Sequence, residues 1–191
     1  MILKDKYNIE TKGFRNYVIN NLNFSIDEVD LEKIVNQIKS HIILGIPILT
    51  AGNGGSLLSA QHFSQDLTKA CGAKSFCISE NIGLLTAYSN DISYESAFVS
   101  SLERFSTPFL FIAISGSGNS RNILHATYHV KHKLEMPVIS FTANANDNKC
   151  PGTLTTNTYS DLNLNIDTTN MYVAESVMSI VFHYIVDRLE V

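Results

Sequence analysis

The sequence predicts an α/β fold, a parallel β-sheet with helices on both faces, and two observations carry that expectation. Five short apolar runs, 46–50, 75–78, 109–114, 138–141 and 162–166, alternate with stretches of helical periodicity. Strands that are nearly all apolar are buried on both faces, and helices between them supply the crossovers that a parallel sheet needs. Second, the runs at 46–50 and 109–114 each lead through a glycine- and serine-rich loop directly into a helix, the arrangement of ligand loops at the carboxyl ends of parallel strands. With 191 residues, 45% of them hydrophobic, the chain can bury one sizeable core. The expected organisation is one domain over 1–191, with N-terminal helices in 1–45 and the α/β core plus a C-terminal helix in 46–191.

The elements follow in order. Residues 4–22 and 31–44 read as helices; in the second, Leu31, Ile34, Val35, Ile38 and Ile42 recur at three- and four-residue steps behind Asp30 as a candidate cap. The five strands and their intervening helices come next. Residues 143–158 are polar and read as a loop with at most a short helix. A long helix over 169–189 closes the chain, with Ala174, Val177, Met178, Val181 and Ile185 as its apolar stripe.

Composition removes several function classes. Fourteen Lys and Arg against eighteen Asp and Glu give a net charge of −4, and no basic run tracks a nucleic acid backbone, so no nucleic acid partner is expected. No uncharged apolar run approaches the roughly 18 residues of a membrane helix, and MILKDKYNIE has no signal-peptide apolar region. A cytoplasmic protein without a membrane partner is the expectation. Cys71, Cys77 and Cys150 are odd in number and form no CxxC spacing, which fits reduced, packing cysteines.

Three sets of residues carry chemistry. Gly52-Asn53-Gly54-Gly55-Ser56 follows the first strand, and Ser115-Gly116-Ser117-Gly118-Asn119-Ser120 follows the third. Glycines let backbone N–H groups converge, serine hydroxyls donate, and a helix start adds partial positive charge, so a phosphate fits both loops. A plain turn needs no serines at alternate positions. On the helix after the first loop, His62 and Asp66 are four apart and share a face opposite the stripe of Leu57, Ala60, Phe63 and Leu67. On the last helix Tyr172, Glu175, Ser176, Ser179 and His183 form a polar side without Lys or Arg, as expected of a face turned to a cavity or another subunit. His125, His129 and His132 are read as a solvated helix surface, and His41 as a residue near a helix C-terminus.

The segments GNGGSLLSAQHFSQDL, ENIGLLTAYSNDISYESAF and ISGSGNSRNI, in this order, resemble the SIS (sugar isomerase) family and within it the phosphoheptose isomerase branch. The resemblance implies a five-stranded parallel sheet and a dimer or tetramer with sites at subunit contacts. It also implies conversion of a ketose 7-phosphate to an aldose 7-phosphate with a divalent metal, commonly zinc. Asn53, Gly54, Gly55, Ser56, Asp91, Ser115, Gly116, Ser117 and Ser120 are then the expected substrate-binding residues. His62 and His183 stand at the family's two metal-binding or catalytic histidines, Asp66 at its catalytic glutamate, and Glu175 at a side-chain amide. Asp66 and His183 become the catalytic pair, and His62, Asp66, Glu175 and His183 the metal set, with Asp66 as base the alternative to Asp66 as ligand. The sequence departs from the family in several ways. Asp66 is one methylene shorter, Glu175 adds a charge, Lys69 stands in for an arginine after the helix, and Tyr172 replaces an aspartate. These changes leave pentose, hexose and modified capsular sugars open beside heptose. A phosphosugar-binding regulator or adaptor without turnover is the alternative function.

Overall fold

The computed structural model describes residues 26–144 and 152–190. The helix expected over 4–22 and Cys150 lie outside them. Helix α1, Glu28–Ile43, starts one turn earlier than its apolar spacing suggests because Asp27, not Asp30, caps it: its carboxylate accepts from the Val29 and Asp30 N–H groups. Strand β1 (Ile48–Ala51) leads into α2 (Gly55–Cys71), then β2 (Ser75–Cys77), α3 (Ile82–Asp91) and α4 (Ala97–Leu102). Strand β3 (Leu110–Ser115) leads into α5 (Arg121–His132) and β4 (Val138–Ala143). After β4 comes a 3-10 turn at Thr153–Thr155, then β5 (Leu162–Ile166) and α6 (Met171–Leu189). Because α2 runs to Cys71, Thr68, Lys69 and Ala70 form its last turn rather than following it.

The five strands are all parallel, as expected, and lie in the order β2-β1-β3-β4-β5. Ile48 sits opposite Leu110 and Ala51 opposite Ala113, so β1 and β3 end level with one another. The chain leaves β1 toward β2 on one side and β3 toward β4 on the other. The crevice between β1 and β3 is therefore the topological switch point of the sheet.

Alternate side chains of the strands feed two cores. Ile48, Ile112, Ile139, Phe141 and Leu164 meet α1, α2 and α6, with Phe63 stacked on Phe182 at 4.4 Å and edge-on to Phe141. Leu49, Phe111, Ala113 and Val138 meet α4 and α5. Strand β5 departs from the apolar rule. Leu164 and Ile166 enter the first core, while Asn163 donates to Ser140 Oγ at 2.7 Å and Asn165 to Asn144 Oδ1 at 3.0 Å on the opposite face. There a 3-10 turn replaces a covering helix, so side-chain hydrogen bonds satisfy that face. Cys71 and Cys77 are unpaired; burial pushes the Cys77 thiol up, so it packs as a protonated side chain. The three helix histidines are not uniformly solvated: the His129 ring is largely buried, 3.6 Å from Glu103 Oε1, and His132 donates to the Thr158 carbonyl at 2.7 Å. His41 is buried, and its Nδ1 donates to the Gln37 carbonyl at 2.8 Å.

Candidate functional site

Helices α1, α3 and α6 are capped by their own Asp27, Asn81 and Asn170 side chains. The two helices that begin at the switch point are not. Helix α2 has Gly54 as its N-cap, in a positive-φ conformation open to glycine, and α5 has Ser120, whose hydroxyl makes no capping bond. Capping side chains elsewhere consume the free N–H groups of a first turn; here Leu57 N–H turns back to the Asn53 and Gly54 carbonyls and Ile123 N–H to the Asn122 side chain, which leaves the N–H groups of Gly55, Ser56, Arg121 and Asn122 available to an anion. The sequence placed glycine and serine at these starts, and that choice leaves the two helix ends open.

Between them lies a cavity of about 130 Å³ lined by Asn53, Ser56, Ser115, Gly116, Ser117 and Ser120, with Met171 and Glu175 from α6. Ser115 donates to Ser120 Oγ at 3.3 Å, and the Asn119 N–H donates to Ser117 Oγ at 3.3 Å. Gly55, the first residue of α2, and exposed Gly54 before it are not among the lining residues. Asp91 is exposed at the end of α3, where it accepts from Asn90, and does not line the cavity. Two residues that sequence reasoning missed tie the loops together. Asn53 and Asn122 exchange reciprocal amide bonds of 2.8 and 2.9 Å, and Tyr94 donates to Asn53 Oδ1 at 2.7 Å. An asparagine two residues past a serine-rich loop is a weak signal alone; its partner in the other loop is what gives it meaning.

Farther along the same helices, His62, Asp66 and His183 bring one donor atom each within 4.8 Å of one another. Asp66 Oδ2 is 3.3 Å from His62 Nε2 and 3.7 Å from His183 Nε2, and the two rings meet edge to face at 5.2 Å. Asp66 is one-fifth exposed, while the imidazoles are about half exposed. Glu175, expected in this metal set, stands apart from the group. Its carboxylate lies against Gly55, so close that a Cβ there would be 2.1 Å from Oε1. The contacts Gly55–Glu175 and His62–His183 advance in the same direction, so α2 and α6 run parallel. Lys69 lies on another surface, in a depression with Gln61, Gln65 and Thr68.

Uncapped helix starts and converging hydroxyls at a switch point make this an α/β protein with a place where an anion fits. The chain belongs to the SIS domain family, whose model matches residues 24–143. It is 39% identical over 99 residues to the phosphoheptose isomerase of Helicobacter pylori, covering 49% of this chain and 51% of that one. It is 38% identical over 103 residues to the phosphoheptose isomerase of Buchnera aphidicola, covering 51% and 52%. These matches span about half the length of the curated relatives. A solved phosphoheptose isomerase from Francisella tularensis superposes with a TM-score of 0.77 at 22% identity, covering 100% of this chain and 99% of that one, a likeness of fold. Among the described residues no helix is long and apolar enough to cross a membrane.

Proposed function

We propose that the chain, read as one domain, is an aldose–ketose isomerase of a sugar phosphate, most similar to sedoheptulose 7-phosphate isomerase. One observation carries this reading: the helix pair that supplies Ser56, Met171 and Glu175 to the serine cavity also carries the His62–Asp66–His183 triangle. Seven residues separate Gly55 from His62 and eight separate Glu175 from His183, which at about 1.5 Å per residue is roughly 10–12 Å. An extended chain advances about 1.2 Å per bond, so the eight bonds from C1 to phosphorus in a heptose 7-phosphate reach roughly 10 Å. A pentose 5-phosphate falls about 2 Å short of that. The relatives named as phosphoheptose isomerases support the same choice.

In this reading Ser56, Ser115, Ser117 and Ser120 with the open N–H groups of α2 and α5 hold the phosphate, and Asn53 orients the first loop. The carbonyl end then lies beside Asp66 and His183. One of the pair removes the proton from the carbon next to the carbonyl while the other protonates the carbonyl oxygen, giving an enediol. Returning a proton to the neighbouring carbon and withdrawing one from the other oxygen yields the isomer with no net proton change. Two imidazole nitrogens and a carboxylate oxygen are the donor chemistry of zinc, so His62, Asp66 and His183 are the residues that would hold a divalent ion, and an atom that ligates it is not the one that moves the proton: Asp66 as ligand is the alternative to Asp66 as base. When bound, such an ion supplies a Lewis acid for the substrate oxygens. Asp91, exposed at the end of α3, is the residue this reading assigns to a sugar hydroxyl. In this reading the chain is cytoplasmic and a dimer or tetramer; Tyr172, Ile180 and Tyr184, exposed on the outer side of α6 near half-exposed His183, support the oligomer. Light scattering at micromolar concentration should return a multiple of 21.2 kDa; a monomer removes this part of the reading.

The test of function is proton NMR in D₂O with pentose, hexose and heptose phosphates, with and without zinc. Deuterium should enter the carbon next to the carbonyl, fastest for a heptose. Binding of every sugar without exchange in both metal states would replace turnover by a regulator or adaptor role.

A further inference from the structure

The serine cavity has an electrostatic oddity. It is lined by hydroxyls, an amide, apolar atoms and one charged group, and that group is a carboxylate. Among the described residues no Lys, Arg or His lines it. The Glu175 carboxylate lies against Gly55, the first residue of α2, whose N-cap Gly54 has no side chain to occupy the helix end. Among the described residues, no hydrogen bond or ion pair engages that carboxylate. The partial positive charge of an uncapped helix start is what favours an anion there. Glu175 thus already stands where that charge acts, and a dianionic phosphate must enter beside it.

An acceptor-only carboxylate treats ligands differently. It repels inorganic phosphate or a simple alkyl phosphate, which at neutral pH bring negative charge and no hydroxyl donors beyond their own P–OH groups. A phosphate ester of a polyol brings hydroxyl donors on the adjoining carbons, and each can bond to the carboxylate and offset the repulsion. Resting on the reading of this cavity as a phosphosugar site, we propose that Glu175 is its specificity-determining residue: an internal competitor that lowers affinity for bare phosphate and selects phosphate monoesters carrying hydroxyl donors. The effect needs no metal. It also gives Glu175 a place at the phosphate end of the site rather than in the His62–Asp66–His183 group.

The test is calorimetry on the full chain at fixed ionic strength, with inorganic phosphate, methyl phosphate and sedoheptulose 7-phosphate as probes. Glu175→Gln keeps the shape and removes the charge; Glu175→Ala removes both and guards against a substitute contact from the new amide. In both variants inorganic and methyl phosphate should bind about tenfold tighter, as expected when a like charge leaves the edge of an anion site. The sugar phosphate should gain far less, so its preference over methyl phosphate shrinks. Ser56→Ala, which removes a donor rather than a charge, should instead weaken all three probes. If the sugar phosphate binds the parent chain but neither Glu175 variant tightens the two simple phosphates, the competitor role is overturned while the cavity reading stands. If no phosphate binds any variant at millimolar concentration, the cavity reading falls and this inference falls with it.

Discussion

Replacing Asp66 or His183 with alanine should lower kcat by at least about a hundredfold while leaving sugar-phosphate affinity within a few-fold of the parent chain. The phosphate cavity and the triangle are about two helical turns apart, so removing a group from one need not disturb the other. A positioned acid or base contributes typically 10² to 10⁴-fold. Asp66 touches both imidazoles, at 3.3 and 3.7 Å, so its loss removes a base and frees both rings. Coupled single-turnover and calorimetric measurements separate the two effects. A fall in affinity that matches the fall in kcat would assign these residues to binding and remove them from the proton transfer. Asp66→Glu lengthens the arm by one methylene. A rise in activity on a heptose phosphate marks the shorter arm as a poor fit, and a fall marks a site built around aspartate; a misplacement of about 1 Å can cost on the order of a hundredfold.

Gly52→Ala should cost about 3 kcal/mol of stability, a drop of roughly 6–12 °C in Tm for a chain of this size. The Cβ would stand 2.4 Å from the Ser56 carbonyl oxygen and 2.8 Å from the Leu57 nitrogen. These are backbone atoms of the first turn of α2, and they cannot yield as a side chain would. The helix is also tied to β1, through Thr50 Oγ1 and the Ala60 carbonyl at 3.0 Å, and through Ala60, Phe63 and Leu67 in the core. Relief of the clash therefore means pulling α2 off the sheet. Gly55→Ala is the control: its new Cβ meets only the end of the flexible Glu175 side chain. Thermal melts of the two variants check this, and equal losses would show that the Gly52 turn relaxes without moving the helix.

The parts of the fold that rest on periodicity were legible in the sequence. Apolar runs marked all five strands, and the three- and four-residue steps of Leu31, Ile34, Val35 and Ile38 marked α1. Its start was misplaced by one turn because Asp27 and Asp30 are chemically alike, and only backbone geometry decides which carboxylate reaches the free N–H groups. The polar face of β5 was hidden because LNLNI is consistent with a strand either way, and Asn163 acquires its meaning only from Ser140 on the neighbouring strand. At the site, spacing alone brought His62 and Asp66 to one face. Their meeting with His183, from a helix more than a hundred residues later, was legible only through the family resemblance. Glu175 was grouped with the histidines on a shared helix face, which does not fix how far along the helix a side chain meets its neighbour; eight residues separate it from His183, and its carboxylate lies against Gly55. Asn122 and Tyr94 could not be found from local pattern, since both act across the gap between the two loops.

That bridge between Asn53 and Asn122 joins positions 69 residues apart, and Asn122 Oδ1 also accepts from the Ile123 N–H at 3.0 Å, so one amide pair braces the first loop against the opening turn of α5. The two halves of the anion cavity are consequently locked in register when the chain folds. The conformational entropy of ordering them is spent before any ligand arrives. On the proposed reading, a phosphate entering this cavity meets a preorganised receptor, and the binding free energy that other loops devote to closing around an anion remains here for placing the far end of the molecule.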